Sequence, residues 1–138
     1  MTSTLTPAVG DRLPEFSRAT GLANWNRYAA VNDEFVPIHM DDEAGRAAGY
    51  PGAFGMGALQ FGYLHNLVRD WLGDSGRIVS LSCQFRAPNT RGMTVTARGT
   101  VTAVRTEDDR RLIDLDIWTE DQDGNRLAPG KAVVALDR

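Results

Sequence analysis

The stretch Asn32-Asp33-Glu34-Phe35-Val36-Pro37-Ile38-His39-Met40-Asp41 decides how this chain is read. It places a carboxylate and an imidazole a few residues apart, on either side of a Pro-fixed turn. A water held between Asp33 and His39 can lose a proton to one group while the other handles a second proton. Such a pair can add water to an activated double bond or remove it again. The same residues also read as an Asp helix cap followed by a locally hydrogen-bonded His. The flanking sequence decides between the two.

Upstream, Leu22, Trp25, Tyr28 and Ala29 recur at helical spacing and predict a helix ending near Asn32, with Asp33 just past its end. Downstream, Asp41 to Gly49 predicts a short helix, acidic in its first turn and closed by Gly, with His39 at its start. Gly55 to Leu72 predicts a long helix of about 27 Å at 1.5 Å per residue. Leu59, Phe61, Tyr63, Leu64, Leu67, Val68, Trp71 and Leu72 cover most of its circumference, leaving a polar stripe at Gly62, His65, Asn66, Arg69 and Asp70. A helix so apolar needs burial on most sides, and a curved sheet wrapped around it would supply that.

The second half predicts the sheet. Val79, Leu81, Cys83 and Phe85 alternate with polar residues, as do Val95, Ala97, Gly99, Val101 and Ala103, and then Ile113, Leu115 and Ile117. Glu107-Asp108-Asp109 and Asp123-Gly124-Asn125 mark hairpin turns, and Ala132 to Leu136 is the expected closing strand. Arg12 to Ala19 reads as an edge strand weakened by Pro14, and residues 1 to 10 as a disordered, frayed terminus. Helices followed by an antiparallel meander give an α+β class.

Phe54-Gly55-Met56-Gly57 opens the long helix, and Phe85-Arg86-Ala87-Pro88-Asn89-Thr90-Arg91-Gly92 follows the first strand of the meander. Together with Asp33 and Pro37-Ile38-His39, these segments resemble the hydratase-2 motif of the MaoC-like, (R)-specific enoyl-CoA hydratases and dehydratases. The second segment is similar to that family's F-x-x-P-x-x-x-G strand and turn. The resemblance runs from about Leu22 to Val101. It implies a single hot-dog domain over 1–138, a long central helix wrapped by a curved antiparallel sheet. Asp33 and His39 stand six apart, one more than is usual in the family, with Val36 before Pro37 and Phe54 where the family tends to carry His. With the short loop from Gly49 to Gly55, these features look closer to the small subunits of heteromeric hydratases acting on steroid side-chain CoA thioesters.

The resemblance implies a hydro-lyase that reversibly hydrates trans-2-enoyl thioesters of CoA or acyl-carrier protein to 3-hydroxyacyl thioesters. Asp33 and His39 would be the catalytic pair. The Gly55 N–H, at the start of the central helix, would meet the thioester oxygen as enolate charge develops. Asn32 would support the pair from behind, and Arg86 and Arg91 could meet a CoA phosphate. The implied assembly is a homodimer or a heteromer with a homologous hot-dog subunit, with the Val79-to-Phe85 strand as the open edge. Two alternatives stand beside this reading. One is a non-catalytic or half-site partner subunit of a heteromeric hydratase. The other is a hot-dog acyl thioesterase, whose carboxylate would normally come from the first half of the central helix, where this chain has no Asp or Glu.

Composition limits the remaining classes. The chain has 138 residues, enough for one self-sufficient core. A net charge of −3 without any Lys/Arg block gives no reason to expect nucleic acid. One cysteine, Cys83, rules out an intrachain disulfide, and two histidines make a metal site improbable, so no cofactor is expected beyond the thioester handle of the substrate. No apolar run is long enough for a membrane span, and the first ten residues lack signal-peptide features, so a cytoplasmic location is expected.

Overall fold

The computed structural model describes residues 5–137. The elements run β1 (Phe16–Ala19), α1 (Leu22–Asn32), a single 3-10 turn (Pro37–His39), α2 (Asp42–Ala47), α3 (Gly57–Leu72), β2 (Gly76–Cys83), β3 (Thr94–Glu107), β4 (Arg110–Glu120) and β5 (Arg126–Leu136). The five strands form one antiparallel sheet in the order β1-β3-β4-β5-β2. This is the expected α+β hot-dog architecture: the sheet curls around α3.

The burial demanded by the apolar circumference of α3 is met. Leu64, Leu67 and Val68 are fully buried against Val95, Val101, Ile113, Leu115, Ile117 and Val134 of the sheet. A smaller cluster of Trp25, Ala29, Ala53 and Met56 packs α1 against the loop that leads into α3, and Leu59 touches both clusters. Fixing α1 and that loop to the same helix places the Asp33–His39 segment relative to the start of α3.

Three irregularities bend the sheet. Register shifts fall at Val79 in β2, at Thr102 in β3 and between Thr119 and Glu120 in β4. Each puts two residues opposite one and increases local twist. The first corrects the expected alternation. Val79 is 49% exposed, while Ile78, Leu81 and Cys83 pack toward the core. Phe85, expected in the inward phase, lies beyond the strand and is 58% exposed. The hairpin between β3 and β4 turns through Asp108 (φ 50°) and Asp109 (φ 66°), the left-handed pair that a tight two-residue turn needs.

Other boundaries shift for identifiable reasons. β1 begins only at Phe16; before Pro14, Arg12 makes an isolated bridge to Thr100. Residues 1–4 of the expected frayed terminus lie outside the described residues. Its remainder is held: Leu5 packs on the core, Pro7 is buried and the Gly10 N–H donates to Val101 O at 2.9 Å. β5 starts at Arg126 rather than Ala132 and runs through Pro129, whose carbonyl accepts from the Gln84 N–H at 2.9 Å. α3 starts at Gly57, two residues later than expected, and His39 closes its own turn rather than opening α2.

Truncating the helix at the centre of this core should be costly. Leu64→Ala is expected to lower stability by about 2–5 kcal/mol, whereas Val31→Ala, at a site 84% exposed, should stay within about 0.5 kcal/mol. Urea unfolding midpoints of the two variants check this; equal shifts would contradict the assigned core.

Candidate functional site

Asp33 ends α1 in the left-handed conformation (φ 53°, ψ 42°), with its N–H bonded to Ala29 O. Asp tolerates that region better than most side chains, and the reversal turns the chain out of the helix. Pro37 then presets the 3-10 turn, in which the His39 N–H donates to Val36 O at 3.0 Å and the Met40 N–H to Pro37 O at 3.0 Å. The Asp41 side chain accepts from Glu43 N and caps α2.

The half-buried His39 ring is fixed on two sides. Its Nδ1 lies 2.7 Å from Phe54 O, and the ring meets the Phe54 ring edge-on at 5.1 Å. A carbonyl only accepts, so Nδ1 carries the hydrogen and Nε2 keeps its lone pair in the neutral imidazole. The Phe54 N–H in turn donates to Ile38 O at 3.2 Å. The turn and the loop before α3 are therefore clamped together through both polar groups of Phe54.

That loop has further anchors. The Asp42 carboxylate accepts from Ala53 N at 3.0 Å and is ion-paired with Arg91. Asn89, which is buried, accepts from the Gly55 N–H at 2.7 Å and donates from Nδ2 to Thr20 Oγ1 at 2.8 Å; the Thr20 hydroxyl donates to Met93 O at 2.6 Å. Gly55 has no room for a side chain: a Cβ there would lie 2.7 Å from Trp25 Nε1 and 2.9 Å from Asn89 Oδ1. The Trp25 indole N–H beside it is buried with no hydrogen-bond partner among the described residues.

A cavity of about 210 Å³ opens at the start of α3, walled by Phe54, Gly55, Gly57, Gln60, Phe85 and Arg86. Met56 caps the helix without a side-chain bond, and the Leu59 and Gln60 N–H groups both turn back to Met56 O. The Gly57 and Ala58 N–H groups therefore have no intrahelical acceptor and stand at the positive end of the dipole. Gly57 lets the Phe85 ring lie directly on this helix start, since a Cβ would come within 2.9 Å of it. The result is a pocket of mixed polarity at the helix start, with an oriented imidazole behind the Phe54 wall.

The expected site residues fare differently. His39 is held as a base or acid would need to be. Asp33 is exposed and, among the described residues, no hydrogen bond or ion pair joins its carboxylate to His39. Asn32 is the exposed last residue of α1. Arg91 is committed to Asp42, while Arg86 bonds Gln84 Oε1 at the cavity wall. The Gly55 N–H, expected to meet a thioester oxygen, donates to Asn89 O at 2.7 Å, and the donors next to it at the helix start are those of Gly57 and Ala58. Cys83 is half-buried, and burial pushes its thiol up, as suits an inert side chain. His65 bonds Phe61 O within its own helix. Among the described residues, no group of three or more His, Cys, Asp or Glu could hold a metal ion, and no helix is long and apolar enough to cross a membrane.

Phe54, Asp42 and Asn89 were not anticipated as parts of the site. Asp42 sat in an acidic run that reads as a response to the helix dipole. Asn89 lay within the strand-and-turn segment without any feature marking its carbonyl. The Ala53 N–H and then the Arg91 guanidinium hold the Asp42 carboxyl below its ordinary 3.8. A lowered value means the clamp stabilises the fold above the unfolded-state pKa and is lost as pH falls through the folded one. Acid unfolding of the wild type should therefore include a component that Asp42→Asn removes. Denaturation midpoints across the acidic range check this, and identical pH slopes for the two proteins would contradict it.

Known proteins place this geometry in a family. The family described as "MaoC like domain" matches residues 7–117. The (R)-hydratase of A. caviae involved in PHA biosynthesis is 27% identical over 96% of this chain and 98% of its own, with a TM-score of 0.84. The ChsH1–ChsH2 complex of Mycobacterium tuberculosis contains a chain with the same fold, 24% identical, at a TM-score of 0.84 over 96% of this chain and 100% of that one. A chain of the C-terminally truncated HadBC (3R-hydroxyacyl-ACP dehydratase) complex from M. tuberculosis shares the fold at 14% identity, with a TM-score of 0.76 over 94% of this chain and 98% of that one. No curated protein matches the chain. With its hot-dog fold, its Pro37–His39 turn and a family match over most of its length, this chain belongs to the MaoC-like dehydratase family.

Proposed function

We propose that the protein hydrates trans-2-enoyl thioesters reversibly, giving 3-hydroxyacyl thioesters. The observation that carries this reading is the bond from His39 Nδ1 to Phe54 O. It fixes the tautomer and ties the imidazole to a residue that walls the cavity at the start of α3. In the hydration direction, water adds its oxygen to the β-carbon, one proton leaves that water, and the α-carbon gains a proton. His39 Nε2 serves one of these transfers, and Asp33 orients the water or serves the other. The enolate oxygen that develops on the thioester is met by the Gly57 or Ala58 N–H at the positive helix end. The similarity to the A. caviae (R)-hydratase supports the reaction class.

A panel of enoyl-CoA esters offered to the pure protein tests the proposal through loss of the conjugated thioester absorbance. Asp33→Asn and His39→Ala should each lower turnover by about 10²–10⁴ while leaving the fold intact. A variant that keeps activity within a few fold would remove that residue from the chemistry.

The exposed, unpaired Asp33 favours a site completed by a second subunit. β2 ends the sheet, so one side of its backbone is open over eight residues. We infer that this edge pairs with another hot-dog subunit, identical or homologous. A half-site role within a heteromer is the second reading, consistent with the complexes in which relatives of this fold are found. Sedimentation at micromolar concentration should show a dimer of the chain alone or with a co-expressed homologue. A stable monomer in both preparations would defeat the inference.

A further inference from the structure

A further cavity, of about 490 Å³, lies where β1, the start of α1 and the middle of α3 meet. It shares no lining residue with the cavity at the start of α3. Leu59 and Tyr63 line it from α3, four residues apart and so on one face of the helix, while Gly57 and Gln60 belong to another face. Ala19 and Ala23 complete its apolar floor, and the exposed Arg18 and Arg27 stand at its rim. Among the described residues no Asp or Glu lines it and neither arginine is ion-paired. In a chain of net charge −3 this is a local excess of positive charge.

The polar groups of this cavity divide into those already used and those left over. The Thr20 hydroxyl donates to Met93 O and accepts from Asn89. The Asn24 side chain accepts from the Gly21 N–H at 2.8 Å and donates to Ala19 O at 3.1 Å. Tyr63 differs. It is 6% exposed, yet no hydrogen bond holds its hydroxyl among the described residues. A buried polar group without a partner is uncommon and calls for a reason. Burial pushes the phenol up while the nearby Arg18 charge draws it down, so it stays a neutral donor beside a cation. Arg18 is itself held in place. Its Nη1 donates to Ser17 O at 2.8 Å, its guanidinium lies 3.9 Å over the Phe16 ring, and that ring meets Tyr63 at 5.7 Å. A guanidinium stacked on an aromatic ring loses little entropy on binding an anion. The first turn of α1 adds the positive end of its dipole and carries no acidic side chain.

We propose that this cavity binds a small carboxylic acid with a short apolar body, at a site separate from the cavity at the start of α3. One carboxylate oxygen accepts from Arg18 and the other from the Tyr63 hydroxyl. Arg27 adds a second positive charge, and the alkyl part covers Leu59, Ala19 and Ala23. A planar carboxylate matches the guanidinium fork. A free phosphate would leave charged oxygens against the apolar floor, which costs solvation without return. The helix that begins at this cavity ends next to Asp33, and Leu59 touches both hydrophobic clusters. The occupant therefore rests on the two helices that frame the candidate site. Its binding does not depend on the thioester reading, since neither His39 nor Asp33 takes part.

Calorimetric titration of the whole protein with octanoate tests the site. Saturable binding is expected, weakened by salt. It should fall by about 10- to 100-fold in the Arg18→Ala, Arg27→Ala double variant and by about 10-fold in Tyr63→Phe. Octanol and inorganic phosphate each carry one half of the ligand's chemistry, and both should bind more weakly than octanoate by about 10-fold or more. Both arginines are exposed, and a far-ultraviolet spectrum confirms that the double variant folds. Tyr63→Phe keeps the ring and loses no hydrogen bond, so the denaturation midpoint of the ligand-free protein should stay level or rise. A lower midpoint would show the hydroxyl already bonded and would overturn the assignment. Equal octanoate affinity in the wild type and the double variant would also overturn it, by placing the ligand elsewhere. Octanol binding as tightly as octanoate would remove the role of charge, and phosphate binding as tightly would reduce the ligand to a bare anion. Either result overturns the proposal, as does an absence of octanoate binding.

Discussion

Everything in this molecule is arranged around the burial of α3. A helix with Leu64, Leu67, Val68 and Leu72 removed from water cannot lie on a flat sheet and still be covered. The strands must bend, and the register shifts at Val79, Thr102 and Glu120 are where they do so. Once the sheet has wrapped the helix, one end of α3 is left reachable from outside. That end carries unpaired N–H groups and the positive pole of the dipole. The position of the candidate site is thus set by a packing requirement, and the surrounding loops shape its walls.

Those loops are held by polar contacts that span the chain. Asn89 joins the segment after β2 to Gly55 before α3 and to Thr20 before α1, while Asp42 ties α2 to Ala53 and Arg91. Buried and partly buried hydrogen bonds of this kind contribute modestly when made and cost more when one partner is lost. Together with the Trp25 cluster they connect the segments that carry the His39 turn and the helix start.

The sequence made the elements legible because two periodicities are clean. The apolar sweep of α3 and the alternation in β3 and β4 each match one template, and Pro37-Ile38-His39 marked the turn that bears the imidazole. What escaped reading was long-range. A bulge at Val79 turns its side chain outward and β2 ends at Cys83, short of Phe85; nothing local distinguishes a bulged strand from a regular one. The Gly55 amide looked free because its acceptor, Asn89 O, lies far along the chain.

The left-handed backbone of Asp33 carries a consequence for engineering. At φ 53° a glycine would relax the C-terminus of α1 and raise thermal tolerance slightly. That exchange would also delete the carboxylate beside the His39 turn. Consensus or stability-guided redesign of this chain would therefore drift toward a sturdier protein without the carboxylate proposed to act with His39, and position 33 should be locked in any such campaign.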